Sequence, residues 1–386
     1  MNQVYITAIA ATLPNAPVAN DEMEPILGQA GQNPSKARRV ILKSNGIRQR
    51  HYAIDPETGE RTHTNAQLTA EAVRALGEGV PEKMDCLVCG TSLPDQLLPN
   101  HGVMVHGELG SPACEVVATA GVCLAGMSAM KYGWMSVASG VHDTVVATGS
   151  ELVSAVMRGR SFAPEAAASL KALEKRPEVA FEKDFLRWML SDGAGAVKME
   201  KRPASNGLSL RIDWIDVRSY ANELEACMYA GARKREDGSL ESWKDVSTEA
   251  LLAESVLAIK QDVKLLNENI VSTTVEQFLP DIRERRGISG DDYDWFLPHY
   301  SSGYFRQRLY DGMSRVGITI PFERWATNLT DKGNTGSASI YIMMEELFHS
   351  GRLTPGEKIL CYVPESGRFS SCFMQLTVCG PGAGDA

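Results

Sequence analysis

The sequence predicts an α/β protein made of two similar halves, and three features lead to that prediction. Short β-branched strands alternate with helical segments along nearly the whole chain, the arrangement that covers both faces of a sheet. The same order of elements recurs in the second half. In each half a strand passes through small residues into a helix, at Cys123 in one and at Asn334 in the other.

Residues 3–10 predict the first strand, followed by a Pro-containing turn and a short helical region. Residues 45–51 begin with a turn glycine and then alternate polar and apolar positions. Residues 65–78 read as an amphipathic helix with Leu68, Ala72, Val73 and Leu76 on one face. Residues 85–92 form a short apolar strand containing Cys86-x-x-Cys89. Positions three apart on a strand face opposite sides, and no second ligand pair follows at zinc spacing, so both thiols are read as packing. From residue 115 a β-branched strand leads through Ala120-Gly-Val122 to Cys123 and a helix slimmed by Gly126, Ser128 and Ala129. That places the thiol at a helix N-terminus, where unpaired N–H groups favour a thiolate. Alone, such a cysteine would be read as buried and structural; its partners decide otherwise.

Residues 143–150 predict another buried strand, and 158–184 an Ala-rich, charged excursion, an inserted helix or flap. Residues 190–197 enter a strand through glycines but lack the G-x-G-x-x-G spacing and following helix of a dinucleotide site. A linker at 201–207 divides the chain into halves of 1–205 and 206–386. The second half runs from a helix at 275–286 to a strand at 294–301 that ends on His299. A helix, the Asn334 turn, a strand at 357–363, a turn at 365–368 and a last strand at 371–378 follow. Asp85 precedes Cys123 by 38 residues and Asp294 precedes Asn334 by 40. A pseudo-two-fold arrangement of such halves would bring Cys123, His299 and Asn334 to one central site.

Composition bounds the alternatives. A chain of 386 residues with 44% hydrophobic and 23% charged residues suits a globular protein with one large duplicated core or two domains. No apolar run is long enough to cross a bilayer, and the first residues lack a basic signal-peptide region. Eight cysteines, several in apolar strands, suggest reduced thiols and a cytoplasmic setting. A net charge of −9 argues against general nucleic-acid binding. A local basic cluster of Arg38, Arg39, Lys43, Arg48 and Arg50 reads as solvated surface, with room for an acidic or phosphorylated partner.

Several motifs together resemble the thiolase superfamily, in particular β-ketoacyl-ACP synthase III-like enzymes. They are Gly46-Ile-Arg-Gln-Arg-His51, Gly90-Thr-Ser92, Cys123-Leu-Ala-Gly126, Ser191-Asp-Gly-Ala-Gly-Ala196, Leu297-Pro-His299 and Gly333-Asn-Thr-Gly-Ser-Ala-Ser339. The resemblance spans nearly the whole chain. It implies a thiolase-like fold of layered α-β-α-β-α form, no tightly bound cofactor and no metal. It also implies an acyl-accepting Cys123 flanked by His299 and Asn334, and an oxyanion hole formed by the N–H groups of Cys123 and Gly367. Arg48 and Arg306 would meet CoA or the phosphopantetheine of an acyl carrier protein, and the chain would be a homodimer. The implied reaction loads an acyl group on Cys123 and condenses it, with decarboxylation, with a malonyl-type or β-ketoacyl thioester.

The sequence departs from that pattern in places. The approach to Cys123 is lengthened by about two residues, Tyr300-Ser-Ser302 follows the histidine, and Pro364-Glu-Ser-Gly-Arg-Phe369 replaces a glycine-only run. These changes point away from the housekeeping initiation enzyme of fatty acid biosynthesis and toward a relative in polyketide or secondary-metabolite biosynthesis. Acyl transfer to an alcohol or amine without decarboxylation is an alternative, as is a non-catalytic ketosynthase partner. A Cys-His-Asn hydrolase is disfavoured by the 176 residues between Cys123 and His299 and by the missing Cys-Gly-Ser-Cys-Trp signature. Trp134, Trp188 and Trp295 are read as core, with Trp188 the exception that an acyl channel could reach.

Overall fold

The structure is a computed structural model that describes residues 2–29, 38–162 and 186–382. Of the excursion expected at 158–184, a short 3-10 turn at Gly159–Phe162 is seen, and the remainder, from 163, lies outside the described residues.

In chain order, β1 (Tyr5–Thr12) is followed by a small pair, β2 (Val18–Ala19) and β3 (Gln49–Arg50). Then come β4 (Cys86–Thr91), β5 (Glu115–Ala120), β6 (Thr144–Glu151), β7 (Gly193–Glu200) and β8 (Ser209–Ser219). Four short strands follow, β9 (Met228–Tyr229), β10 (Ala232–Lys234), β11 (Leu240–Ser242) and β12 (Lys260–Gln261), before β13 (Trp295–Pro298), β14 (Lys358–Glu365) and β15 (Ser370–Cys379). Nine of these strands form one sheet in the order β13-β14-β15-β8-β1-β7-β6-β4-β5.

The pairing repeats across that sheet. β4 lies parallel to β5 and β6, β6 is antiparallel to β7, and β7 to β1. In the other half β13 is parallel to β14 and bridges Trp325 in parallel, β14 is antiparallel to β15, and β15 to β8. The halves meet where β1 and β8 share two residue pairs, Tyr5 with Arg211 and Ile6 with Leu210.

Helices fill the space on both faces. Helix Leu124–Ser139 touches β4 and β6 of its own half and β14 and β15 of the other, and helix Ser339–His349 touches β1, β7 and β13. These two form the inner helical layer. Their small residues let them approach: a Cβ on Gly126 would stand 2.3 Å from the Ser337 carbonyl oxygen. Helix Asn65–Arg74 covers the outer face near β6 and β7, and starts on a capping box between Thr64 and Gln67. On the opposite outer side Val263–Val271 runs through a π-helical turn at Ser272–Gln277 into Leu279–Arg286. The helix expected at 275–286 therefore begins a dozen residues earlier; the apolar stripe shifts phase at the π turn, which hides the continuity from a 3.6-residue period.

The basic cluster is not all surface. Arg50 is 0% exposed and donates to the carbonyl oxygen of Trp188 at 2.6 Å, and Arg38 pairs with Glu24 at 2.7 Å. Trp188 is fully buried, with the Arg38 and Arg187 guanidinium groups near its ring, and among the described residues it lines neither the cavity at Cys123 nor the larger one beside it.

Candidate active site

Cys123 is built where β5 ends. The chain leaves Ala120 through Gly121, whose φ of +153° favours glycine, and Cys123 itself takes helical dihedrals as the residue before Leu124. The Thr119 hydroxyl donates to the Ala125 carbonyl at 2.7 Å and ties the strand end to the first helical turn. Cys123 is 8% exposed.

His299 follows β13, held by its N–H to the Tyr362 carbonyl of β14 at 2.8 Å. It shares with Cys123 a narrow cavity of about 30 Å³, the room of a single water, walled by Ile270, Phe305, Tyr362 and Ser366 among others. Burial lowers the imidazole pKa to about 4, so His299 is neutral at physiological pH and has an N–H to donate.

Asn334 occupies the turn that corresponds, in the other half, to the Cys123 turn. Its backbone bridges Leu190, giving its N–H to Met189 and accepting from Ser191 at 2.9 Å each. The side-chain Oδ1 accepts from Gly336 N–H at 3.0 Å, which leaves the amide NH2 as the available donor. Asn334 is buried but does not line the small cavity that Cys123 and His299 share.

Two carboxylates complete the surroundings. Glu151, at the end of β6, accepts from Ser92 N–H at 3.2 Å, Ser92 Oγ at 2.5 Å and Ser337 N–H at 3.1 Å, so it links the Asn334 turn to β4. Burial raises its pKa to about 7. Glu365, at the end of β14, accepts at Oε2 from Val122 N–H at 2.9 Å and Leu124 N–H at 3.2 Å. Sequence reasoning read residues 365–368 as a turn and gave Glu365 no role. The replacement of a glycine-only run by Pro364-Glu-Ser was the signal that could have found it.

These carboxylates overturn one expectation. The Cys123 thiol is pushed well above its ordinary pKa, first by burial and then by Glu365 and Glu151, with its own N–H working in the other direction. The helix N-terminus is outweighed by burial first and then by the two carboxylates, so it does not favour a thiolate here.

The remaining expected residues are placed as follows. Gly367 lines a second, larger cavity of about 790 Å³ with Gly121, Val122 and Glu365, while its neighbour Ser366 shares the small cavity with Cys123. The Gly367 carbonyl accepts from Cys227 and Met228. Arg48 is exposed and pairs with Asp331 at 3.2 Å. Arg306 stacks 3.9 Å over Phe322 and lies against Tyr300, which lines the small cavity. One group of metal-type ligands occurs among the described residues, Cys86, Glu115 and His142, with ligand atoms within 4.8 Å of one another. It lies where β4 and β5 begin, at the opposite end from Cys123, and Glu115 and His142 already bond Tyr132 and Ser136.

Comparison with known proteins agrees with this geometry. Residues 284–368 match the family described as 3-oxoacyl-[acyl-carrier-protein (ACP)] synthase III C terminal. The chain is 25% identical over 365 residues to the β-ketoacyl-[acyl-carrier-protein] synthase III of Xanthomonas oryzae, covering 93% of this chain and 95% of that protein. It is 23% identical over 355 residues to the Methylococcus capsulatus protein of the same name, covering 92% and 93%. Among solved structures it superimposes on AbyA1, a tetronic acid condensing enzyme, with a TM-score of 0.74 at 20% identity over 97% of this chain and 99% of that one. Xanthomonas campestris OleA, solved with lauric acid and lauroyl-CoA, gives 0.72 at 17% identity over 97% and 99%. The FabH of Pseudomonas aeruginosa gives 0.69 at 18% over 97% and 98%. The structural likenesses show the thiolase-like fold, and the sequence matches make the chain similar to β-ketoacyl-[acyl-carrier-protein] synthase III proteins.

Proposed function

We propose that the chain carries out a two-stage acyl transfer ending in a decarboxylative Claisen condensation, with Cys123 as the acyl carrier. The observation that carries this reading is one small cavity lined by both a buried thiol and a neutral imidazole.

In the first stage the Cys123 sulfur attacks the carbonyl of an acyl-CoA or acyl-ACP thioester, and the carrier thiol departs. The tetrahedral oxygen gains its negative charge beside the Cys123 N–H, with a second donor from the 366–367 segment. One such donor contributes about 3–4 kcal/mol to lowering the barrier. In the second stage a malonyl-type thioester places its carbonyl oxygen against the His299 N–H and the Asn334 amide. Both donors hold the enolate that forms as carbon dioxide leaves, and the resulting carbanion attacks the acyl-Cys123 carbonyl. The bond to sulfur breaks, the β-ketoacyl product leaves on its carrier, and the Cys123 thiolate takes one proton from water to restore the thiol. A neutral donor suits the task, since an imidazolium would protonate the carbanion instead of holding the enolate oxygen.

The acyl chain fits the larger cavity. Its 790 Å³ is of small-ligand size, and Leu93, Val122, Ala226, Met228 and Ile259 make its wall apolar beside the Cys123 turn. Carriers would approach over Arg306 and Arg48. The chain would pair with a second copy along β5, the free edge of the nine-stranded sheet.

The test is sequential. Offered a panel of acyl-CoA thioesters, the protein gains the mass of one acyl group, lost in Cys123→Ala. Added radiolabelled malonyl-CoA or malonyl-ACP then releases carbon dioxide and a β-keto product. Acylation without carbon dioxide release would mark a plain acyltransferase instead.

A further inference from the structure

Away from the reaction site, three donor side chains meet where β4, β5 and β6 begin. Cys86 opens β4 and Glu115 opens β5, and the two are register partners in a parallel pair, so their side chains leave the same face of the sheet. His142 stands two residues before β6, which flanks β4 on its other side. The backbone around them is laced together. Glu115 N–H donates to the Asp85 carbonyl at 3.0 Å, and Asp85 Oδ2 accepts from Asp143 N–H at 3.0 Å and Thr144 N–H at 2.9 Å. Cys89 packs in a different cluster from Cys86, as strand alternation requires, so the partners of Cys86 come from other elements and not from its own strand.

Helix Leu124–Ser139 orients the donors. Tyr132 and Ser136 lie one turn apart on it, and each holds one atom of a donor group while leaving the other. The Tyr132 hydroxyl donates to Glu115 Oε1, which leaves Oε2. Ser136 Oγ bonds His142 Nδ1 at 2.5 Å, which leaves Nε2. Nε2 and Oε2 stand 3.5 Å apart. That is too wide for a good hydrogen bond and close to the separation of two ligands each about 2.0–2.2 Å from one tetrahedral ion. The Cys86 sulfur completes the group, with the three donor atoms within 4.8 Å of one another, and it has no hydrogen-bond partner among the described residues. Cys86 is fully buried, whereas the Glu115 side chain is 43% exposed, which gives an ion an open approach.

We propose that Cys86, Glu115 and His142 bind one zinc ion, with water in the fourth position on the solvent side. A thiolate, an imidazole and a carboxylate together suit Zn(II) and not the oxygen-preferring Mg(II) or Ca(II). The Cys86 proton passes to solvent as the zinc–sulfur bond forms. Ser136 and Tyr132 fix the ring and the carboxylate, the part that outer hydrogen-bond partners play in zinc sites. At the opposite end of β5 from Cys123 the ion is structural. It ties the starts of β4 and β5 to the loop that joins helix Leu124–Ser139 to β6.

The test uses the full-length chain, kept reduced with a phosphine, stripped with EDTA and desalted, with Zn(II) alone as probe. Bound metal is counted by elemental mass spectrometry, affinity is measured by competition with a chromophoric chelator, and thermal melts report folding. The wild type retains one zinc per chain and melts higher as zinc is added. Co(II) in its place gives a thiolate-to-metal absorption band, which Cys86→Ser loses. Ser136→Ala weakens zinc by about 10- to 100-fold, and His142→Ala and Glu115→Gln weaken it further. His142 and Glu115 lie nearer the surface than Cys86, so their variants decide the outcome if Cys86→Ser does not fold. Cys114→Ser and Cys123→Ala keep the wild-type affinity, which separates this site from the thiol and imidazole of the small cavity. A wild type that retains no zinc overturns the proposal, as does a His142→Ala that binds zinc as tightly as wild type, or zinc lost with Cys123→Ala.

Discussion

Tyr341 donates its hydroxyl to the Gly126 carbonyl oxygen at 2.7 Å, joining the helix of one half to the helix that carries the nucleophile in the other. Both groups are fully buried, and the contact holds only because residue 126 has no side chain. The bond fixes the first turn after Cys123 against the Asn334 side of the site.

Losing that bond should loosen the site before it unfolds the protein. Tyr341→Phe removes the second bond to a carbonyl that keeps its helical one, and should cost about 0.5–1.5 kcal/mol in denaturant unfolding. Gly126→Val, which drives a side chain into the Ser337 carbonyl, should cost more and also lower the rate of Cys123 acylation. Gly126→Val at wild-type stability would contradict this packing.

The pH dependence of condensation should have a low acid limb from His299. Burial lowers its pKa to about 4, so the imidazole stays neutral down to that value and the malonyl-decarboxylation step should show no loss from this group between pH 6.5 and 5. The same shift bears on stability. Unfolded histidine binds a proton near pH 6.5 while the buried ring does not, so its contribution to folding is complete above pH 6.5 and is lost as pH falls toward about 4. His299→Asn should remove the corresponding part of the acid destabilisation.

The larger cavity should set acyl length. Ala226 is 9% exposed and lines it, so Ala226→Phe would fill space without touching the sulfur. Acetyl-CoA loading should persist within about twofold and long-chain loading fall by at least about tenfold, the scale of one to two lost methylene contacts in an apolar pocket. Equal losses for both chain lengths, measured by intact mass, would place the chain elsewhere.

Carrier contacts should be separable from chemistry. Arg306→Ala and Arg48→Ala should raise KM for acyl-ACP by roughly two- to fivefold and leave kcat unchanged, with the effect fading at high salt, as expected of exposed charges. Arg306→Ala should have the larger effect, because Arg306 lies beside Tyr300 at the small cavity and Arg48 is already paired with Asp331.

What could be read from the sequence follows physical range. Strand and helix positions near Cys123 and His299 were readable because β-branched runs and small-residue turns are local signals: β13 ends at Pro298, one residue before His299, and the helix after Cys123 starts at Leu124. The helix of residues 65–78 ended four residues early, at Arg74, where Gly77 and Gly79 take positive φ. Groups that act across long separations were not readable. Glu365 reaches Val122 over 243 residues, and the Cys123 thiol is pushed up by burial first and by the Glu365 charge second, against its own backbone N–H. Arg50 lies inside a basic run yet is buried, because its partners come from Asn20 and Trp188.

One short piece of β14 carries two duties. At Tyr362 its carbonyl seats the His299 backbone, and three residues on, at Glu365, its side chain grips both flanks of Cys123. The gap between imidazole and sulfur is thus gauged by a single ruler of four residues. A residue added to or taken from this ruler would move the imidazole and the sulfur relative to one another, whereas the short strands β9–β12 lie outside it.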